Sequence, residues 1–209
     1  MSGCNLLFRR FFARWYPDGP PYTVVRGDME VAPDLAGRSA DELCTVAEGS
    51  RQEVRSRIET MVSAAASDWA THLSFERISS IDAVRRFDDY WSRARIAALI
   101  RRSDASDFSN DYLVLCCELG AVLGEVVRSE RLDLEWLYDR PYWESCLWHP
   151  ASASRLHVFA WAVKRLSSYG AEDGLRGKIF TALELLDADP ESASRRQTGP
   201  GGRAAFSSP

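Results

Sequence analysis

Apolar positions recur at helical spacing through the first two thirds of the chain and at strand spacing after that. Ser39 can cap a helix, with Glu42 three residues on as in a capping box, and Leu43, Val46, Val54, Ile58, Met61 and Val62 carry the pattern to the alanines at 64–66. Gly49 is the expected break in this run. Residues 68–79 show no clear period. Ile81, Val84, Phe87, Trp91, Ala94 and Ala98 then share one face and predict a second long helix. Its other face mixes Asp82, Arg85, Arg86, Asp89 and Arg93, where i to i+4 spacing predicts local ion pairs rather than a phosphate-binding surface. A third helix starts near Ser109 and runs to Ser129. It is apolar nearly all round, which predicts the central helix of the fold.

Beyond it the interval shortens to two. Leu134, Trp136 and Tyr138 alternate with their neighbours, Trp143–Trp148 runs to a stop at His149-Pro150, and Arg155–Phe159 follows a turn of small residues. Two or three short strands are expected, followed by a helix over Phe159–Tyr169 ending at Gly170 and a last helix over Asp173–Asp187. At the N-terminus, residues 5–16 alternate aromatic and Arg side chains at helical spacing and stop at Pro17-Asp18-Gly19-Pro20-Pro21. This segment is expected to dock on the body through Phe8, Phe11, Phe12 and Trp15. Tyr22–Val31 is extended around a Gly27-Asp28 turn and can add a hairpin to the sheet. The predicted class is α+β, with long helices in the N-terminal half and a small antiparallel sheet plus helices in the C-terminal half. The predicted organisation is an N-terminal helix and turn (1–21), one domain (22–189) and a disordered tail (190–209) rich in Ser, Gly, Pro and Arg.

Composition narrows the function classes. The 209 residues are 45% hydrophobic and 27% charged with a net charge of −4, an ordinary balance for a soluble domain and an unfavourable one for nucleic acid. The tail holds three Arg against one Glu, so the body is the more acidic part. No run approaches a membrane span. A secretory core is cut short where Arg9 and Arg10 follow Leu6-Leu7-Phe8. The five cysteines are odd in number and irregular in spacing, which predicts reduced thiols and a cytoplasmic location.

Phosphate-binding loops, dinucleotide-binding glycine patterns, the nucleophile elbow of serine hydrolases and the H-E-x-x-H zinc motif are absent from the sequence, so no cofactor is expected. His72, His149 and His157 lack the spacing of a metal site. Two constellations remain. Glu118 and Glu125 lie seven residues apart on one face of the central helix, about 10.5 Å along its axis, where two carboxylates can flank a cleft as acid and base. The alternatives are a solvent stripe or pairing with arginines. The second constellation is aromatic: Trp136, Trp143, Trp148, His157 and Trp161 either form core or present a partner-binding surface. Cys146 with His149 or His157 is a third, weaker pairing that lacks an orienting acid. Gly120 and Gly124, four apart, form a notch where a second element or a second copy of the chain can approach closely.

The run Cys117-Glu-Leu-Gly-Ala-Val-Leu-Gly-Glu-Val-Val-Arg128, the Trp-bearing strands and Leu156-His-Val-Phe-Ala-Trp-Ala-Val-Lys-Arg165 resemble small bacterial α+β domains of unknown function. These carry an L-G-x-x-L-G-E helix, a tryptophan hairpin and an N-P-F-x-x-x-x-K-R segment. The resemblance covers about residues 109–187 and departs at His157-Val158, where that pattern has Asn-Pro. It implies a fold and a bacterial origin, and it carries over no catalytic residue. The expected function is a non-catalytic cytosolic binding protein, immunity- or adaptor-like, that meets one protein partner. The alternative is a small-molecule-binding protein or hydrolase with Glu118 and Glu125 in a cleft walled by Trp143, Trp148 and His157.

Overall fold

The computed structural model describes residues 3–15, 28–167 and 174–187, which form eight helices and one four-stranded antiparallel sheet. The α+β class follows, with the sheet mostly in the C-terminal half. The Pro17–Pro21 stop, the hairpin turn before Asp28, Gly170 and the tail from 190 lie outside the described residues.

Helix α1 (Gly3–Phe12) continues into a short 3₁₀ turn, Ala13–Trp15, and buries Phe11 and Phe12. The Phe11 ring packs on Tyr112, with centroids 4.5 Å apart, and Trp15 meets Trp143 edge-on at 4.8 Å. The expected docking therefore runs through Phe11, Phe12 and Trp15, and the Phe8 side chain lies outside the described ones. Helix α2 (Ala40–Leu43) has the predicted capping box, in which Ser39 accepts from the Glu42 amide while the Glu42 carboxylate accepts from the Ser39 amide. A carboxylate oxygen of Glu135 adds a further cap by accepting from the Ala40 amide at 2.6 Å.

The long helix expected from Ser39 is in fact two. The chain leaves helical geometry after Leu43 and re-enters at α3 (Glu48–Ala70), so Gly49 lies inside the first turn rather than at the break. Val54, Ile58, Ala65 and Trp69 form the buried stripe of α3, which extends three residues into the segment that shows no period in the sequence.

The helix expected over 81–98 also divides, into α4 (Ile81–Tyr90) and α5 (Arg93–Arg102). Trp91 leaves helical geometry and Ser92 caps α5 by accepting from the Arg95 amide. A group remote in sequence holds the break. Arg165 is buried and donates Nε to the Asp88 carboxylate at 2.8 Å and Nη2 to the carbonyls of Asp88 and Trp91 at 3.1 and 3.0 Å. Those carbonyls belong to the end of α4, where a continuing helix would supply their donors. The other Asp88 oxygen accepts from the Leu175 amide at 2.7 Å, so one carboxylate joins α4, the Arg165 end of α7 (Val158–Arg165) and the start of α8 (Leu175–Asp187). The predicted Asp82–Arg86 pair is present at 2.6 Å.

Helix α6 (Asp111–Glu130) is the centre of the fold, as its composition predicts. Asn110 caps it by accepting from the Leu113 amide, and nearly every residue from Tyr112 to Val127 is buried between α3 and α7. Gly120 and Gly124 form the predicted notch, filled from within the chain. A Cβ at Gly120 would stand 2.2 Å from the Phe159 ring, and one at Gly124 2.2 Å from the Trp136 ring. The notch is thus not a surface for a second copy.

The sheet order is β1 (Met29–Val31), β4 (Ser154–Leu156), β3 (Cys146–His149), β2 (Glu135–Leu137). Trp143 and Glu144, expected in a strand, form a 3₁₀ turn with Tyr142 ahead of β3. The register aligns Met29, Leu156, Leu147 and Trp136 on the face that packs into the main core. Trp148 points to the opposite face, where Ala40, Ala153, Leu35 and Leu43 cover it. Both faces of β3 are therefore dry, which explains an apolar strand that does not alternate.

Candidate functional site

Five aromatic or histidine positions, read from sequence as a possible partner surface, lie in the interior. Trp148 and Trp161 are fully buried, and each indole N–H is satisfied by a backbone carbonyl: Arg38 for Trp148 at 2.7 Å, Asp28 for Trp161 at 2.9 Å. Trp136 fills the Gly124 notch and donates to Glu125 at 2.8 Å. Trp143 is half-buried against Trp15 and Phe12, and the buried His157 stands at the start of α7, 3.5 Å from the Glu30 carboxylate. They share no groove. They are held by α1, β1, α2 and α6, elements that sequence spacing alone does not bring together.

The two glutamates of α6 are likewise separated. Glu125 lies at a cavity of about 610 Å³ between α3 and β2 and is paired with Arg128 at 3.1 Å. Opposite it, Arg55 is paired with Glu59 at 3.0 Å, so both guanidinium groups at this cavity are already engaged by carboxylates. Trp143, Trp148 and His157 line neither this cavity nor the one at Glu118.

Glu118 is in a different situation. It is 3% exposed and forms part of the wall of a cavity of about 450 Å³, a volume suited to a small ligand. The walls come from the end of α3, the α4–α5 corner and the first two turns of α6. Trp69 donates its indole N–H to one Glu118 carboxylate oxygen at 3.1 Å. The other oxygen, Oε1, receives no hydrogen bond. The charged neighbour that acts on it is Asp68, itself a carboxylate exposed at the rim, which shares a hydrogen bond with the Glu118 carboxyl when a proton lies between them. Burial pushes the Glu118 carboxyl up to about 7; the Trp69 hydrogen bond acts in the opposite sense, and the Asp68 charge adds to the rise. A buried polar atom without a partner is costly, so Oε1 marks where a proton or a ligand donor belongs.

The rest of the cavity is built around this carboxyl. Tyr90 is clamped between His72, stacked at 5.4 Å, and the Arg95 guanidinium at 4.0 Å from its ring centre. Trp91 is held by the Arg165 contact to its carbonyl. Arg102 is the guanidinium at this cavity, and its charge is engaged by Asp111 at 3.1 Å. Among the described residues no group of three or more His, Cys, Asp or Glu side chains is placed to hold a metal ion. Sequence reasoning singled out Glu118 as a charge inside apolar sequence but missed Asp68, Trp69, His72 and Trp91. The signal for Trp91 was Ser92, a cap residue directly behind it; the others fall at the end of a helix whose pattern fades before its hydrogen bonding does.

One further cluster has the residue types of a hydrolase triad. His149 Nδ1 lies 2.6 Å from Ser152 Oγ, and His149 Nε2 lies 2.9 Å from the Asp133 carboxylate. The Ser152 amide also donates to Nδ1, at 3.2 Å, and the serine is buried in the β3–β4 turn beside Ala153, whose φ is +49°. Ser152 is buried and its hydroxyl is engaged by both His149 and Ser154, so the arrangement clamps a tight turn. Cys146, in β3, is buried.

Comparison of the chain with family models, with curated proteins and with solved structures gives no match.

Proposed function

We propose that the chain is a small-molecule-binding protein whose site is the Glu118 cavity. One observation carries the reading: a buried carboxyl with an oxygen that no donor reaches opens on a cavity of ligand size. Proteins satisfy almost all their buried polar atoms, and those left over at a cavity wall are where a ligand makes its bonds. The perturbed proton affinity of the same carboxyl points to the same place.

The reading as an immunity- or adaptor-like protein that meets one protein partner draws no support from the five aromatic and histidine positions, because four are buried and Trp143 packs under α1. A cytosolic setting fits Cys44, Cys116, Cys117 and Cys146, which form no disulfide. No described helix is long and apolar enough to cross a membrane. A second reading, turnover in the same cavity, is favoured by one feature: a carboxyl whose proton affinity is near neutrality, with Asp68 beside it, suits general acid–base chemistry.

Native mass spectrometry of protein purified gently from its own cytosol tests the proposal. The expected result is a small-molecule adduct on the wild type that is lost in a folded Glu118→Gln variant. A second polypeptide at fixed stoichiometry, with no small adduct, would overturn it in favour of the protein-partner reading.

A further inference from the structure

We infer that the Glu118 cavity takes a primary organic ammonium ion, its N–H groups against the Glu118 and Asp68 carboxylates and its hydrocarbon part against Trp91 and the leucines of the cavity wall. This rests on the reading of the cavity as a ligand site and adds the chemical class of the ligand. Three features select that class. First, Glu118 Oε1 has no donor in the chain and shares a hydrogen bond with Asp68 only while a proton lies between the two; once that proton is lost both groups are acceptors, so the ligand supplies a donor. Second, two neighbouring carboxylates face the space without a cation of the protein's own to balance them. The Arg102 charge is engaged by Asp111, and Arg95 is drawn to the Tyr90 ring and to the Tyr90 carbonyl at 2.6 Å. A neutral donor would satisfy Oε1 but leave the repulsion between Glu118 and Asp68 in place; a cation relieves both. Third, the remaining wall is apolar and aromatic, with Leu73, Leu99, Leu115 and Trp91 at the cavity. A bare metal ion needs a fuller ligand set than the described residues offer, and the site has a side suited to hydrocarbon.

The charged and titratable groups around the cavity are Asp68 and His72 from the end of α3, Tyr90 from α4, Arg102 from α5, and Asp111 and Glu118 from α6. Of these, Glu118 carries a carboxyl poised near 7. An ammonium ion binds its ionised form, so binding below pH 7 must first expel a proton. Apparent affinity is then expected to fall about tenfold between pH 8 and pH 6.

The test uses three primary ammonium ions, n-butyl-, cyclohexyl- and 2-phenylethylammonium, each beside the corresponding alcohol. Binding is read at pH 8 from the ¹⁵N–¹H signal of the Trp69 indole, the donor to Glu118, and from that of Trp91. The expected result is saturable shifts with at least one ammonium ion, an affinity at least ten times that of its alcohol, and loss of that preference in Glu118→Gln. Asp68→Asn, at the exposed rim, is expected to weaken ammonium binding several-fold in a protein whose folding it leaves intact. Equal binding of alcohol and ammonium, or a preference that survives Glu118→Gln, would overturn the ligand class while leaving the cavity a ligand site. Absence of saturable shifts from all three ammonium ions, with shifts from an alcohol, overturns the class alone. Absence from all six probes overturns both the class and the reading it rests on.

Discussion

Glu118 shows how one side chain can be unfavourable to the fold that holds it. A carboxyl whose proton affinity is higher in the folded chain than in the unfolded one binds more protons when folded, so its effect on stability is best at low pH. The stability is fully present below about 4.5 and is lost as pH rises through about 7. Glu118→Gln keeps an acceptor for the Trp69 N–H and removes the charge. It is expected to match the wild type at pH 5 and to exceed it at pH 8 by about 2 kcal/mol, roughly 4 to 8 °C in melting temperature. Calorimetry at the two pH values checks this, and equal melting temperatures at pH 8 would show that the carboxyl ionises without cost. A residue retained against stability is the expected mark of a binding position. Glu118 itself was legible in the sequence, because a glutamate between Cys117 and Leu119 interrupts an apolar run. Its neighbour Asp68 was not, since the segment that holds it has no periodicity of its own.

Among the elements, α6 was the most legible, because it is bounded by an Asn cap and needs only its own composition to specify a buried helix. Its glycines have a cost that a propensity scale would miss. Alanine at position 120 gains about 1 kcal/mol of intrinsic helix propensity, yet its Cβ has nowhere to go against the Phe159 ring. Gly120→Ala is therefore expected to destabilise by about 2 kcal/mol net, from overpacking. Urea denaturation measures it, and combining it with Phe159→Leu should recover part of the loss. The α4–α5 corner was the least legible. Ile81, Val84, Phe87 and Trp91 keep one helical face up to the break, and only Ser92, a cap residue behind it, announces it locally. The carbonyls left open at the end of α4 are taken by the guanidinium of Arg165, 77 positions beyond Asp88 in the chain. The wall of the candidate site thus depends on a contact that no window of sequence contains. The strands were legible as short runs of apolar and aromatic residues except at Trp143, where the rings of Trp15, Phe12 and Tyr142 favour a turn over an extended segment.

For the whole molecule, residues 3–15 and 29–31 complete structures made much later in the chain. α1 covers Tyr112 and Trp143 with Phe11 and Phe12, and β1 closes the sheet on β4. Deleting residues 1–15 removes two buried phenylalanines and is expected to lower unfolding free energy by about 4 kcal/mol or more, a large share of the 5–15 kcal/mol typical of a domain. A deletion variant with an unchanged denaturation midpoint would mean that α1 only rests on the surface. The pairing of Met29 with Leu156 also has a consequence in time. On a ribosome adding about 5 to 20 residues per second, β1 emerges roughly 6 to 25 seconds before its partner strand exists. Through most of that interval Phe11 and Phe12 wait for the rings they pack on, Tyr112 and Trp143, to be made. The sheet is then sealed last at the edge that was synthesised first, and during that wait the nascent chain is a natural client for a holding chaperone.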